Sequence, residues 1–123
     1  MNTEILKKII AEWLEEKVFP PLVRRDAPEL VLGHVSEIIA VAGPRRAGKT
    51  CYMYQLIQDL LGQGNWGRED ILFIDFEDYR LTDFTAADID SLLAAFQQVT
   101  GKAPTFLFFD EIQRLDGWSR VLR

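Results

Sequence analysis

Residues 43–50 have the types and the spacing of a phosphate-binding loop. They match the pattern G-x-x-x-x-G-K-[ST] at every fixed position. Glycine lets main-chain N–H groups approach a phosphate, lysine reaches the β- and γ-phosphates, and a hydroxyl can bind Mg²⁺. We therefore predict a nucleoside triphosphate site in which Lys49 also assists catalysis and Thr50 binds the metal. The residues predicted to hold the nucleotide are Gly43, Pro44, Arg45, Arg46, Ala47, Gly48, Lys49, Thr50 and Cys51.

Two adjacent acids, Asp110 and Glu111, directly follow an apolar run. An aspartate at the end of a buried strand can hold Mg²⁺, and a glutamate beside it can act as general base for an attacking water. We predict these two roles for Asp110 and Glu111; the plainer interpretation is an acid pair that solvates a loop. The further acids Asp75, Glu77 and Asp78 are expected at the rim of the same sheet edge, where they shape the pocket or face solvent.

Strands and helices alternate along the chain in the way that builds a parallel sheet. Buried strands are predicted over residues 35–43, 70–78 and 105–110, and helices over residues 50–64 and 86–99. Thr85 is a plausible cap for the last helix and Gly101 its stop. The predicted fold class is α/β, with helices on both faces of the sheet, as in the three-layer core of P-loop nucleotide-binding proteins.

The N-terminal part has a different pattern. Residues 3–18 place apolar side chains on one face and mixed charges opposite, which predicts an amphipathic helix capped by Asn2 or Thr3. Docking on the protein's own core is favoured over a membrane surface, because the polar face is rich in acid. We predict two parts: residues 1–33 as helix and connector, and residues 34–123 as a partial P-loop domain.

Composition narrows the function classes. The chain has 123 residues, a net charge of −5 and a single cysteine, Cys51. No apolar run approaches the length of a membrane span, and no signal peptide is recognisable. A cytoplasmic location is expected. Direct binding of nucleic acid by this segment is disfavoured, since gripping a phosphate backbone needs clustered Lys and Arg.

With both motifs placed, the chain resembles the AAA+ superfamily of P-loop ATPases. It looks most like a prokaryotic subfamily of predicted ATPases that share a G-P-R-R-x-G-K-T loop, an acidic second strand and a D-E-I-Q followed by G-W, here with Trp118. The resemblance implies ATP rather than GTP, Mg²⁺ and a cytoplasmic setting. The absence of a D-x-x-G after either acidic segment also disfavours a GTPase. Cys51 departs from the Thr or Ser that the family has after its G-K-T.

The length of the chain is a further departure from that family. Relatives of this kind continue through more strands, a lid and a C-terminal domain, so we expect an N-terminal portion of a longer protein. The implied strand order, 5-1-4-3-2, places another strand between the phosphate-loop strand and the strand at residues 105–110, which corresponds to the Walker B strand of such proteins. The strands at residues 35–43 and 105–110 would then have open ladders. Sensor residues and an arginine finger are not identifiable. A partner subunit or the rest of the chain would supply them, and a homo-oligomer is left open.

The leading functional hypothesis is an ATPase whose hydrolysis drives or times a conformational change in attached or partner domains. The alternatives are a nucleotide-dependent switch or scaffold with little turnover and, less favoured, a small-molecule phosphotransferase. Glu111 discriminates among them, because only the first needs a general base for water beside the metal-binding acid.

Overall fold

The computed structural model describes residues 2–15, 31–35, 37–43 and 49–122, and four strands and four α-helices lie within them. The strands are β1 (Val31–Val35), β2 (Ile38–Gly43), β3 (Ile71–Asp75) and β4 (Phe106–Asp110). The helices are α1 (Thr3–Glu15), α2 (Lys49–Gly62), α3 (Ile89–Thr100) and α4 (Trp118–Val121). Short 3₁₀ turns cover Arg68–Asp70, Tyr79–Leu81, Ala86–Asp88 and Ile112–Arg114.

The strands form one sheet in the order β1-β2-β4-β3. β1 and β2 are antiparallel, whereas β2, β4 and β3 are parallel. Between the parallel strands the chain runs through α2 and then α3, and right-handed crossovers put two such helices on opposite faces. The fold is therefore mixed α/β with the core of a P-loop nucleotide-binding protein, as predicted.

The neighbours of β2 differ from the order that the family resemblance implied. We expected another strand between the phosphate-loop strand and the Walker B strand, but β2 and β4 pair directly over five positions, from Ile39↔Phe106 to Gly43↔Asp110. That expectation is wrong for this chain. Both strands are apolar, so leaving their facing N–H and C=O groups unpaired would be costly, and mutual pairing satisfies them.

Residues 35–43, which were predicted as one strand, contain the last residue of β1 and the whole of β2. Val35 ends β1, Ile38 begins β2, and these two residues face each other in the register, so the connection has two residues. Two-residue connections are the commonest hairpin loops. The polar Glu37 lies in this turn and is exposed. The connector predicted to run to Gly33 therefore already contains strand residues from Val31 onwards.

The cap predicted at Asn2 and the stop predicted at Gly101 are present, whereas the Thr85 hydroxyl donates to Asp88 and caps no helix N–H. The N–H of Glu4 donates to the side-chain oxygen of Asn2 at 2.8 Å, which satisfies a donor at the start of α1. The helix predicted to begin after Thr85 begins with a 3₁₀ turn and continues as α3. It ends at Gly101, whose φ of 87° is the left-handed conformation that glycine adopts without steric cost. Residues 16–18 of the first predicted helix lie outside the described residues.

Helix α1 packs on the sheet edge and on α3, as its apolar face predicted. Its buried residues are Leu6, Ile9, Ile10 and Trp13. The indole N–H of Trp13 donates to the main-chain carbonyl of Ile71 in the edge strand β3, at 2.6 Å. Arg68 donates to the carbonyl of Trp13 at 2.7 Å and lies over its ring. The helix thereby covers an edge that would otherwise expose strand groups.

Arg80 forms a second link, which joins α1 to the segment that follows β3. Its guanidinium donates to both carboxylate oxygens of Glu12 in α1, each at 2.9 Å, and to Asp78 at 2.7 Å. The hydrogen bonds from Arg80 lower the pKa of Asp78 and of Glu12, and those carboxylates in turn raise the pKa of Arg80. Two segments 68 residues apart in sequence are held together at this point.

Within the described part of the chain, no helix has both the length and the apolar character that crossing a membrane requires.

Candidate functional site

Three strands end side by side at one edge of the sheet. Gly43 at the end of β2 pairs with Asp110 at the end of β4, and Asp110 pairs with Asp75 at the end of β3. Because the three strands are parallel, their carboxyl ends lie at the same edge, and neighbouring strands are about 5 Å apart. The first glycine of the predicted phosphate loop is therefore directly beside the acid predicted to bind the metal ion. Such an edge is where open α/β sheets bind ligands.

The segment after Gly43 has the context that the motif requires. β2 ends at Gly43 and α2 begins at Lys49, so the intervening residues connect a strand to a helix N-terminus. Residues 44–48 of the predicted loop lie outside the described residues. So do the side chains of Lys49, Thr50 and Cys51. The roles assigned to these residues stay predictions.

Asp110 is the last residue of β4 and is buried, with 3% of its surface exposed. A carboxylate oxygen of Asp110 accepts the N–H of Glu111 at 3.0 Å. Its main-chain carbonyl accepts the N–H of Phe76 at 3.1 Å, so the chain leaving β3 is tied to it. A carboxylate that is buried yet placed at a strand end suits a metal ligand better than a loop-solvating group.

Glu111 is also buried and has an uncommon backbone conformation. Its φ is 56° and its ψ is 43°, and among the described residues it is the one non-glycine residue with positive φ. This left-handed conformation costs an L-residue roughly 1–2 kcal/mol. Strain of this kind persists where the surrounding structure enforces it, and it clusters at active sites. Asp110 continues the strand whereas Glu111 turns away from it, so two adjacent carboxylates have different surroundings.

The side chain of Glu111 has a hydrogen-bond partner two residues further on. The amide Nε2 of Gln113 donates to its Oε1 at 3.0 Å. Gln113 belongs to the D-E-I-Q motif, and its position in that motif predicts no role for it. The available signal was that spacing alone, and spacing does not tell which way either side chain points.

The acids after β3 have structural partners. Asp75 is exposed and accepts the N–H of Glu77 at 2.9 Å. Glu77 lies 3.6 Å from Arg114, which links this segment to the turn after Glu111. Asp78 is held by Arg80, which sequence reasoning did not single out. The segment that carries these acids is thus tied to the turn after Glu111 through Glu77 and to α1 through Asp78 and Arg80.

The buried carboxylate of Asp110 is the kind of oxygen ligand that a magnesium ion held partly by phosphate oxygens takes. Mg²⁺ in such sites usually keeps waters and takes one or two protein ligands. In the chain stretches that the structure describes, no group of three or more metal-ligand side chains is present, and such a group is not needed here. Thr50 and Asp110 are the residues that would hold the ion.

The fold and the strand-end arrangement define an α/β protein of the P-loop type. The family described as AAA domain matches residues 35–123, which is most of the chain. The chain therefore belongs to this AAA domain family, and the resemblance identified from the two motifs is confirmed. Family membership indicates a nucleotide-binding, ATPase-like protein.

One relative is an uncharacterised protein of Methanocaldococcus jannaschii, MJ1544. It is 31% identical to this chain over 124 residues. The match covers 99% of this chain and 23% of the relative, so the chain spans less than a quarter of the length of that protein. No solved structure matches the chain.

Proposed function

We propose that the protein binds ATP together with Mg²⁺ and hydrolyses it to ADP and phosphate. The observation that carries this proposal is the register pair Gly43↔Asp110 at the carboxyl edge of the sheet. It brings the start of the phosphate-loop motif beside a buried acid. The helix that follows the motif begins at Lys49. A helix N-terminus there supplies main-chain N–H donors and roughly half a positive charge.

Each residue of the site then has a defined task. The N–H groups of the loop and Lys49 bind the phosphates, and Thr50 and Asp110 hold Mg²⁺, which neutralises charge on the phosphate oxygens when bound. Glu111 accepts a proton from a water as that water's oxygen bonds to the γ-phosphorus. The bond from this phosphorus to the bridging oxygen breaks, and ADP leaves with the electron pair.

Hydrolysis is favoured over a switch without turnover by the state of Glu111. A buried carboxylate in a left-handed conformation is costly to maintain. A scaffold that only binds nucleotide would gain nothing from a glutamate in this unfavourable conformation. A phosphotransferase must exclude the water that such a base would activate.

We further propose that turnover drives a conformational change in attached or partner domains of a cytoplasmic protein, either within a longer chain or in a homo-oligomer. Support comes from the segment after β3, which borders the site at Asp75 and contacts α1 through Arg80. A change at the strand ends thus has a direct structural route to α1.

The proposal is tested with two variants and a matched control. Lys49→Ala should abolish binding of a fluorescent ATP analogue. Glu111→Gln should keep Mg²⁺-dependent binding and lower phosphate release by at least about 100-fold, the range of a lost general base. Glu4→Gln, at an exposed position of α1, should match the wild type in both assays. Failure of the wild-type protein to bind ATP, or undiminished phosphate release by Glu111→Gln, would overturn the proposal.

A further inference from the structure

Gln113 contacts the predicted general base although it is itself an exposed residue. Its amide donates to Glu111 Oε1 at 3.0 Å, within the normal range for a hydrogen bond to a carboxylate. The contact joins a solvent-facing side chain to a carboxylate of a residue that is only 8% exposed. An exposed glutamine has many rotamers available, so a defined contact to a buried acid calls for an explanation.

The backbone around Gln113 is anchored on both sides. The 3₁₀ turn Ile112–Arg114 places Gln113 between Ile112 and Leu115, both of which are buried. The N–H of Leu115 donates to the carbonyl of Ile112 at 2.9 Å, and the N–H of Arg114 donates to the carbonyl of Glu111 at 3.2 Å. The amide of Gln113 therefore starts from a fixed backbone and needs to order only its own side chain.

The left-handed conformation of Glu111 makes this contact geometrically available. In a continuing strand, residues 111 and 113 would be separated by nearly 7 Å along the chain and would face the same side. The turn at Glu111 (φ 56°, ψ 43°) shortens that path and brings the amide onto the carboxylate. The strained backbone and the hydrogen bond are thus two parts of one arrangement.

We propose that Gln113 is a positioning residue that fixes the orientation of the Glu111 carboxylate for proton abstraction from the attacking water. This inference rests on the proposed hydrolysis. Gln113 touches neither nucleotide nor water in this role, and it acts through Glu111 alone. Its loss lowers the rate of the chemical step and leaves ATP affinity unchanged, because misplacing a base affects the transition state rather than ground-state binding.

The decisive comparison is between truncation and isosteric replacement of Gln113. Gln113→Ala should lower kcat about tenfold, the size expected for one hydrogen bond to a charged group. Gln113→Glu has nearly the same shape but removes the donor and adds a like charge beside Glu111, so its kcat should be lower still. KM should stay at the wild-type value in both variants, because the side chain does not contact the nucleotide in this role. If Gln113 merely filled space, the isosteric variant would be the more active of the two, and that order would overturn the inference.

Gln98 offers matched controls. It is also an exposed glutamine, but it lies in the last turn of α3, which leads to the amino end of β4. It is therefore at the opposite end of the strands from the candidate site. Gln98→Ala and Gln98→Glu should both hydrolyse ATP at the wild-type rate. If Gln98→Glu lowered kcat as much as Gln113→Glu, the effect would be one of net charge, and the positioning role would be rejected.

A double-mutant cycle separates positioning from a direct role. Single-turnover hydrolysis of radiolabelled ATP gives the residual rate of Glu111→Gln. Adding Gln113→Ala to that variant should change the rate by less than about twofold, because coupled residues are not additive. A further tenfold loss would show that Gln113 acts independently of Glu111 and would overturn the inference. If the wild-type protein binds ATP and does not hydrolyse it, the proposed hydrolysis fails and this inference fails with it. If it does hydrolyse ATP but the Gln113 variants match it, only this inference fails.

Discussion

Adjacent carboxylates at positions 110 and 111 differ in backbone conformation, as the different tasks proposed for them require. Asp110 keeps the extended conformation of β4 and stays in register with Gly43. Glu111 adopts a left-handed conformation and meets Gln113 instead. Two ionised groups that are neighbours in sequence would repel each other if they shared one location. The left-handed backbone at Glu111 turns the second carboxylate away from the line of the strand.

The strain at Glu111 leads to a stability prediction. Glu111→Gly should unfold with a free energy roughly 0.5–1 kcal/mol higher than Glu111→Ala, because glycine has no Cβ to clash at positive φ and this gain exceeds its greater entropy when unfolded. Urea denaturation of both variants measures the difference.

Gln58 supplies the control of opposite sign. It is exposed within α2, where glycine is about 1 kcal/mol less favourable than alanine. Gln58→Gly should therefore be less stable than Gln58→Ala. If the glycine variant were the less stable one at position 111 as well, Glu111 would not be left-handed in solution.

At the scale of elements, α1 is fixed to the sheet by directional contacts as well as by apolar packing. The indole N–H of Trp13 donates to a main-chain carbonyl of the edge strand, and Arg80 bridges Glu12 to Asp78. Burial of Trp13 and its neighbours supplies most of the stabilisation, because each buried large side chain contributes about 1.5–3 kcal/mol. The polar contacts determine where along the edge the helix lies.

Arg80→Met should lower the free energy of unfolding by about 1–2 kcal/mol, most of it from Asp78, which loses a close partner while remaining about 80% covered. Glu12 is 40% exposed, so solvent screening limits its share to about 0.5 kcal/mol. Arg114→Met is the control: both partners in that ion pair are about half exposed and lie 3.6 Å apart, so little change is expected. Equal losses for the two variants would contradict the bridging role of Arg80.

The Arg80 bridge should also depend on pH in a defined direction. Because the pKa values of Asp78 and Glu12 are lowered in the folded protein, these groups add stability above their ordinary values of 3.8 and 4.5. That stability is lost as the pH falls through the lowered pKa values. The difference in urea midpoint between wild type and Arg80→Met should therefore have its largest value at pH 7 and decrease below about pH 4. A difference that stayed constant down to pH 2 would exclude an ionic contribution.

For the molecule as a whole, the position of β4 is the central architectural fact. It lies between β2 and β3, so both of its ladders are occupied, and it ends at Asp110. Leu107, Phe108 and Phe109 are almost completely buried there. β1 lies at the other edge of the sheet, where Leu32 is 72% exposed.

Hydrogen exchange tests this arrangement directly. Main-chain amides of residues 106–110 should exchange most slowly, because opening them requires unfolding of the sheet centre, and residues 31–35 should exchange fastest among the strands. The strand at residues 71–75, an edge strand that α1 covers, should be intermediate. If residues 106–110 exchanged as fast as residues 31–35, β4 would have an open ladder, as the strand order implied by the family resemblance required.

Local patterns were enough to predict much of the fold and part of the candidate site. The apolar runs ending at Asp75 and Asp110 are strands because they are buried on both faces, which removes the need for alternation. The left-handed Gly101 ended α3 as predicted, and the strand and helix on either side of residues 44–48 confirm the context of the phosphate-loop motif. The acid pair was recognisable because both residues are adjacent in the chain.

The partners of these segments could not be read from the residues. Several strands that are distant in sequence could pair with β2. The residues alone do not tell which of these apolar strands does so. The contact of Arg80 with Glu12 spans 68 residues, and no periodicity records it. The left-handed turn at Glu111 could not be predicted either, since glutamate has no preference for that conformation. The residues of each motif are neighbours in the chain, so their chemistry could be predicted from the sequence. The orientation of side chains and the order of strands in the sheet are determined only when the chain packs.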